Sequence, residues 1–329
     1  MFHPHTYRTE AMPSLTHHVA PFSVDSPAWQ DMSTPALSGD AWSFVRAAGH
    51  AAASLPSAVH DAVVDFADFP HESGALVLRG LPIGTLPRTP ATPTTPTEKD
   101  SLSEFTLLTV ARRLGQPVGY GPEHGGDLVQ NIVPTKAALA RQVSTSSAVH
   151  LMFHTEAAFH PFRPRYLLLL CLRGDPAAFT TLASIFEVMP QLAPPVVDVL
   201  FQMRFRTAVD ESYLQGRGNA LSTPMAVLSG DRARPSLVFD ADLMVGIDEE
   251  ADDALRVLGE AIDACHTAVA LEAGDLLIID NNVAVHGRSA FTPRFDGKDR
   301  WVQRTFVVSD LAPSAADRHG RVITTHFGS

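Results

Sequence analysis

The stretch "AGDLLIIDNNVAVHGRSAF" (273–291) decides the fold: two apolar runs, Leu276–Ile279 and Val283–Val285, flank an Asp-Asn-Asn turn. Apolar runs of this length bounded by turn residues read as strands buried on both faces, so a strand, a turn and a strand are expected here. Outward from it, "GALVLRGLPIG" (74–84), "DLVQNIVP" (127–134), "RYLLLLCL" (165–172), "LVFDADLMVGI" (237–247) and "RWVQRTFVVSD" (300–310) carry the same signature. Helices are expected over one or two segments of 40–69, over 101–120 and over 250–271. A further helical stretch within 181–208 is interrupted by Pro190 and by Pro194–Pro195. Ser101 stands three residues before Glu104, the spacing of a capping box, and Gly115 and Pro117 mark the end of that helix. The pattern describes an α+β protein, a β-rich core under helical cover, as a single domain spanning 1–329.

Three segments fall outside this pattern. Residues 1–38, dotted with Pro and His, are expected to wrap the surface irregularly. The Pro/Thr-rich 85–100 holds too little apolar content to pack and reads as a surface loop. The polar, Gly- and Pro-punctuated 209–236 has the composition of a lid.

Of the 329 residues, 45% are hydrophobic, and no apolar run approaches the roughly 20 residues that span a bilayer. The N-terminus lacks a basic region followed by an apolar core, and the two cysteines, Cys171 and Cys265, form no CxxC. A disulfide framework and a thiolate zinc site are therefore not expected, and the cytoplasm is the default compartment. A formal charge of −11 argues against a nucleic-acid partner, which requires clustered Lys and Arg.

"HLMFHTEAAFHPFRPR" (150–165) crowds three histidines and a carboxylate together. In an extended strand residues i and i+2 share a face, so His154 and Glu156 form a same-side pair. Alone, an HxE in a chain with 15 histidines says little. His286, just past an apolar strand and followed by Gly287, supplies the third candidate ligand. Two His and one carboxylate with other positions open suit non-haem Fe(II) and oxygen chemistry, although three ligands also suit catalytic zinc. Arg300 and Arg304, four apart in a strand-like stretch, share a face, and two guanidinium groups suit two separate carboxylates. Asp240 and Asp242 of "FDADLM" read as a same-face acidic pair that a cation would neutralise. His150 and His160 are read as packing or hydrogen-bonding residues.

"FHTEAAFHPFRPRYLLLLCLRGDP", "GDLLIIDNNVAVHGRSAF" and "DGKDRWVQRTFVV" together resemble the clavaminate synthase-like branch of the Fe(II)/2-oxoglutarate-dependent oxygenases, over about residues 74–310. Within it the likeness is to bacterial amino-acid hydroxylases of the arginine β-hydroxylase and asparagine oxygenase type. The resemblance implies a double-stranded β-helix (jelly-roll) core with flanking helices and a lid. It implies His154, Glu156 and His286 as iron ligands, Glu156 standing where most of the superfamily has Asp. It further implies Arg300, helped by Thr181, on the distal carboxylate of 2-oxoglutarate. Arg304 would take the substrate α-carboxylate and Gln130 the amino group, while Asp240, Asp242, Asp210 and Ser212 would meet the side chain. The implied reaction hydroxylates a free L-amino acid, arginine or a related cationic one, at C3 or C4, with 2-oxoglutarate and O2 as cosubstrates. Left open are desaturation or cyclisation, a carrier-tethered substrate, a zinc hydrolase, a non-catalytic cupin-like binding protein, and assembly as a homodimer.

Overall fold

The computed structural model describes residues 16–17, 41–69, 72–214 and 216–327. The expectation for 1–38 lies outside these residues, apart from β1 (Thr16–His17), which pairs in parallel with β2 (Ala75–Leu78) at one edge of a large sheet. Next to β2 runs β13 (Leu276–Asp280), then β6 (Tyr166–Arg173), β15 (Trp301–Val308) and β3 (Gln116–Tyr120). The sheet ends in β17 (Val322–Ile323) and β16 (Arg318–His319), and β4 (Gln130–Ile132) pairs with β15 off this path. A smaller sheet has the order β12 (Thr267–Ala270), β7 (Phe179–Ser184), β14 (Ala284–Arg288), β5 (Leu151–His154).

The all-apolar runs make sense because the large sheet is covered on both faces. Leu277 and Ile279 of β13, and Leu167 and Leu169 of β6, join Leu182 of β7 and Ala284 of β14 in one cluster between the sheets. Leu276, Ile278, Leu168 and Leu170 point the other way, against α2 (Ser57–Asp68) and α3 (Leu102–Leu114). Each such side chain contributes about 1.5–3 kcal/mol on burial. The outer face of the small sheet, including Ala183 and Val285, packs against α4 (Ile185–Val188), α5 (Pro194–Leu200) and α7 (Glu249–Cys265). Among the described residues no helix is long and apolar enough to cross a membrane.

Four local expectations change. β12 lies inside a segment read as helix, and β7 (Phe179–Ser184) runs into the start of the segment said to contain one. Ser184 ends β7 and at once accepts Phe186 N–H as the cap of α4, so no loop separates strand from helix. α7 stops at Cys265, and the Thr-Ala-Val-Ala that follows forms β12 through its ladder with β7. The 237–247 segment is not one strand: the Asp240 carboxylate accepts the N–H groups of Asp242 and Leu243, both at 2.9 Å, and turns the chain. In the segment expected to be a lid, β9 (Leu228–Asp231) and β10 (Arg234–Leu237) form a hairpin that sends Leu228 and Leu237 into the core.

The 85–100 loop is held by polar groups where apolar ones are lacking. Thr89 Oγ1 donates to Asp299 O (2.7 Å), Arg173 Nη2 to Pro87 O (3.1 Å), and Asn131 Nδ2 to Thr95 Oγ1 (2.8 Å). Lys99 closes it, its ammonium 2.7 Å from Glu104 Oε2, while Glu104 Oε1 accepts from Gln303 at 2.7 Å. Glu104 is thereby taken from the capping box; Ser101 makes no side-chain cap bond, and Asp100 accepts Leu102 N–H in its place. Removing one partner of a buried pair leaves the other uncompensated. Lys99→Met should therefore cost about 3 kcal/mol of unfolding free energy, read as a lowered urea midpoint at unchanged m-value.

Candidate active site

Between the sheets lies a cavity of about 450 Å³. On its wall, His154 at the end of β5 pairs directly with His286 in β14, bringing the ring centroids to 4.3 Å. Glu156 reaches the same point by another route than strand period. It sits in the turn after β5, where Ala157 has φ +52° and the Asn281 side chain clasps the backbone. Glu156 N–H donates to Asn281 Oδ1 at 2.6 Å, and Asn281 Nδ2 donates to Glu156 O (3.1 Å) and Pro164 O (3.0 Å). The carboxylate then lies with Oε2 3.6 Å from His286 Nε2. One donor atom from each of the three residues falls within 4.8 Å of the others.

These donors fit a divalent cation. Glu156 Oε2 is buried without a hydrogen-bond partner, an arrangement that is costly unless something else meets it. His154 Nδ1 lies 2.8 Å from Met152 O, a contact that requires a proton on Nδ1 and leaves Nε2 as a lone-pair donor. Burial, reinforced by His154, lowers the His286 pKa to about 4, so its imidazole is neutral at pH 7. Burial works to raise the pKa of Glu156, but Arg304 and the two imidazoles outweigh it and hold the carboxyl at about 2. Glu156 is thus an anion ready to ligate.

The two arginines stand on the same wall as expected, with Val302 between them. Arg300 precedes β15 and is buried, and no ion pair or hydrogen bond joins its guanidinium to a described side chain. Arg304 is engaged on several sides. It pairs with Glu123, donates to Gln130 Oε1 through Nε (2.9 Å) and Nη2 (2.6 Å), and approaches Glu156 Oε1 at 3.5 Å. Burial works against its charge, but Glu123 and Glu156 raise its pKa overall.

The other expected residues divide. Gln130 is absent from the cavity wall, its carbonyl held by Arg304. Thr181 faces away, toward Gly287 on the far side of the small sheet, and Thr180 borders the cavity, a one-residue difference in strand phase. Asp240 and Asp242 both border the cavity, but from a turn; they are not a strand-face pair, and Asp242 is exposed. Burial raises the Asp240 pKa. Asp210 and Ser212 also border it at α6 (Glu211–Leu214), joined by Ser212 Oγ donating to Asp210 Oδ1 (2.7 Å). His160 is buried, its Nδ1 accepts Phe162 N–H (2.9 Å), and burial lowers its pKa to about 3. His150 makes an edge contact with Phe153, at 6.3 Å between centroids.

Glu123 and Arg288 escaped the sequence reading. Glu123 is one of 36 acidic residues and sits in the turn after β3, where no period singles it out. Arg288, in the same HGR as His286, gathers the 144–149 loop by donating to Ser146 Oγ (2.9 Å) and Ser144 O (3.2 Å). Its neighbourhood to His286 was the available signal.

Comparison with known proteins agrees with this geometry. The model of the taurine catabolism dioxygenase TauD, TfdA family matches residues 51–306. The chain is 40% identical over 300 residues to an L-asparagine oxygenase of Streptomyces coelicolor, covering 90% of this chain and 89% of that protein. It is 38% identical to an L-lysine 3-hydroxylase of Catenulispora acidiphila, covering 86% and 81% respectively. Among solved structures, asparagine oxygenase with Fe(II), 2S,3S-3-hydroxyasparagine and succinate superposes with a TM-score of 0.84 at 38% identity, over 91% of this chain and 94% of that one. The non-heme iron oxygenase OrfP with Fe, succinate and (3S)-hydroxy-L-Arg gives 0.84 at 29% identity, over 95% and 100%.

The metal cluster makes a direct prediction. Fe(II) or Co(II), added anaerobically to metal-free protein, should raise the thermal midpoint, and His286→Ala should abolish that rise. Asn281→Ala keeps all three donors but frees the Glu156 backbone; it should weaken metal binding about 10–100-fold by calorimetry.

Proposed function

The chain belongs to the TauD/TfdA family and is an Fe(II)- and 2-oxoglutarate-dependent dioxygenase of amino-acid hydroxylase kinship; on that premise we propose that it hydroxylates a free cationic L-amino acid, arginine or a close analogue, at C3 or, as runner-up, C4. The carrying observation is the pairing of Arg304 with Glu123 on the wall that also bears His154, Glu156 and His286. A guanidinium beside a carboxylate complements the α-carboxylate and α-ammonium of an amino acid. The two facing sheets are what a double-stranded β-helix core requires.

In this reading His154, Glu156 and His286 hold the iron, which when bound supplies O2 activation coupled to decarboxylation of 2-oxoglutarate to succinate and CO2. Arg300, buried and without a partner side chain, takes the distal carboxylate of 2-oxoglutarate, with Thr180 in the supporting role that the sequence reading gave Thr181. Arg304 takes the substrate α-carboxylate, and Glu123 takes the ammonium that Gln130 had been expected to meet. Asp240, Asp242, Asp210 and Ser212 also border the cavity and are read as facing the substrate side chain, an acidic lining suited to a cation. The span between the two anchors selects which carbon faces the metal. A carrier-tethered residue would lack the carboxylate that Arg304 is built for, which favours the free amino acid.

A second reading has its own support: 40% identity to an L-asparagine oxygenase. An amide N–H would also donate to Asp240. The panel that separates them measures succinate and product mass for iron-loaded protein with 2-oxoglutarate and each of the twenty amino acids plus arginine analogues. Arginine, lysine or ornithine should stimulate succinate formation most; stimulation by asparagine alone would transfer the assignment to the amide. If no amino acid exceeds the uncoupled rate, the free-amino-acid reading fails. Arg300→Ala should weaken 2-oxoglutarate binding about 10–100-fold with metal affinity retained. Asp240→Ala should lower kcat/KM for a cationic substrate about tenfold more than for a neutral one.

A further inference from the structure

Two buried groups meet at the head of the cavity from different parts of the chain. Glu123 follows β3 of the large sheet, and Tyr213 belongs to α6, the short helix that carries Ser212 and follows Asp210, both also on the cavity wall. The Tyr213 hydroxyl donates to Glu123 Oε2 at 3.0 Å, while Arg304 engages Glu123 Oε1. Among the described residues this is the one hydrogen bond of that hydroxyl. The Tyr213 ring is only 4% exposed and rests in an aromatic cluster, its centroid 4.9 Å from Phe159, 6.0 Å from Tyr120 and 6.2 Å from Phe327.

We infer that Tyr213 is a positioning residue that sets Glu123 for the substrate ammonium and ties its placement to the seating of α6. The inference rests on the reading of Glu123 and Arg304 as the clamp for the amino-acid head. A carboxylate offers about four acceptor positions. Arg304 occupies one oxygen and Tyr213 the other, which fixes the carboxylate plane and leaves the remaining lone pairs for an ammonium. The bond also bridges the two recognition elements: one end of it belongs to the head clamp, the other to the helix that carries Ser212 and follows Asp210. An Arg141–Glu211 ion pair at 2.7 Å also ties the same helix to its surroundings, but it is exposed and screened. The Tyr213 bond is the buried tie.

Tyr213→Phe keeps the ring in its cluster and removes only the hydroxyl. The test uses iron-loaded enzyme and whichever of L-arginine, L-lysine and L-asparagine the wild type turns over fastest. The variant should raise the amino-acid KM about 5–20-fold, hold kcat within about twofold and lower the product formed per succinate. In a Glu123→Gln background the same substitution should add little, because the hydroxyl then has no carboxylate to fix. An unchanged KM overturns the inference, and so does a rise of equal size with Glu123→Gln already present. A parallel loss of kcat, KM and thermal midpoint would show a merely structural tyrosine and overturn it too. A wild type that turns over none of the three overturns the head-clamp reading itself, an outcome distinct from an active wild type indifferent to Tyr213→Phe.

Discussion

Ionised groups buried between two apolar sheets impose the strictest constraint on this molecule. An isolated ion in such surroundings costs several kcal/mol. Here Arg304 is shared: Glu123 pairs with it, Glu156 stands 3.5 Å away, and Gln130 accepts two of its N–H groups. Its position follows from strand register, since Arg304 pairs with Gln130 on β4 and with Leu169 on β6. A slip of one residue would turn the guanidinium toward the helices and leave both carboxylates unmatched. Sheet pairing and site electrostatics are in this sense one arrangement.

The parts of the fold legible from sequence were those where a single physical rule dominates. β6 and β13 are buried on both faces, and their apolar runs say so; β15 is equally buried but carries Gln303, Arg304 and Thr305 in its middle. β7 and β12 owe their strand form to each other and to β14, partners that no local window contains. The His154, Glu156 and His286 grouping was legible, but for a reason only partly right. Strand period suggested it, whereas the Asn281 clasp achieves it. The strand-face reading of Asp240 and Asp242 and the phase of Thr181 miss for the same reason, because an alternation rule holds only while the chain stays extended and its phase is known; both aspartates nonetheless border the cavity. Glu123 and Tyr213 carried no local signal, being brought to the cavity by tertiary packing.

The Pro/Thr-rich loop makes a related point about composition. Low apolar content predicted a segment that could not pack, and by hydrophobic burial alone it could not. Lys99, Asn131, Thr89 and Arg173 hold it by saturating backbone and side-chain polar groups. Thr89 bonds Asp299 directly, and Glu104 and Asn131 carry the network on to Gln303 and Trp301, residues that interleave along the chain with Arg300 and Arg304. Behind β15 the polar network runs among the apolar side chains of Trp301 and Val307, and in front of it Val302 and Arg304 border the cavity.

The turn at Asp240 has a consequence for how such a scaffold can diverge. The groups suited to the metal and to the amino-acid head ride mostly on paired strands, where a change propagates through the ladder. The segment 240–243, which also borders the cavity, rides on a side-chain-capped turn. The turn is anchored to β5 by Ala241 N–H on Phe153 O and Thr155 N–H on Phe239 O, so a side chain such as Asp242 can be exchanged there while the backbone bonds stay in place. On the proposed reading, selectivity can drift through such side chains without disturbing the strands that carry His154, His286 and Arg304, which makes this turn the natural place to look for engineered changes of selectivity.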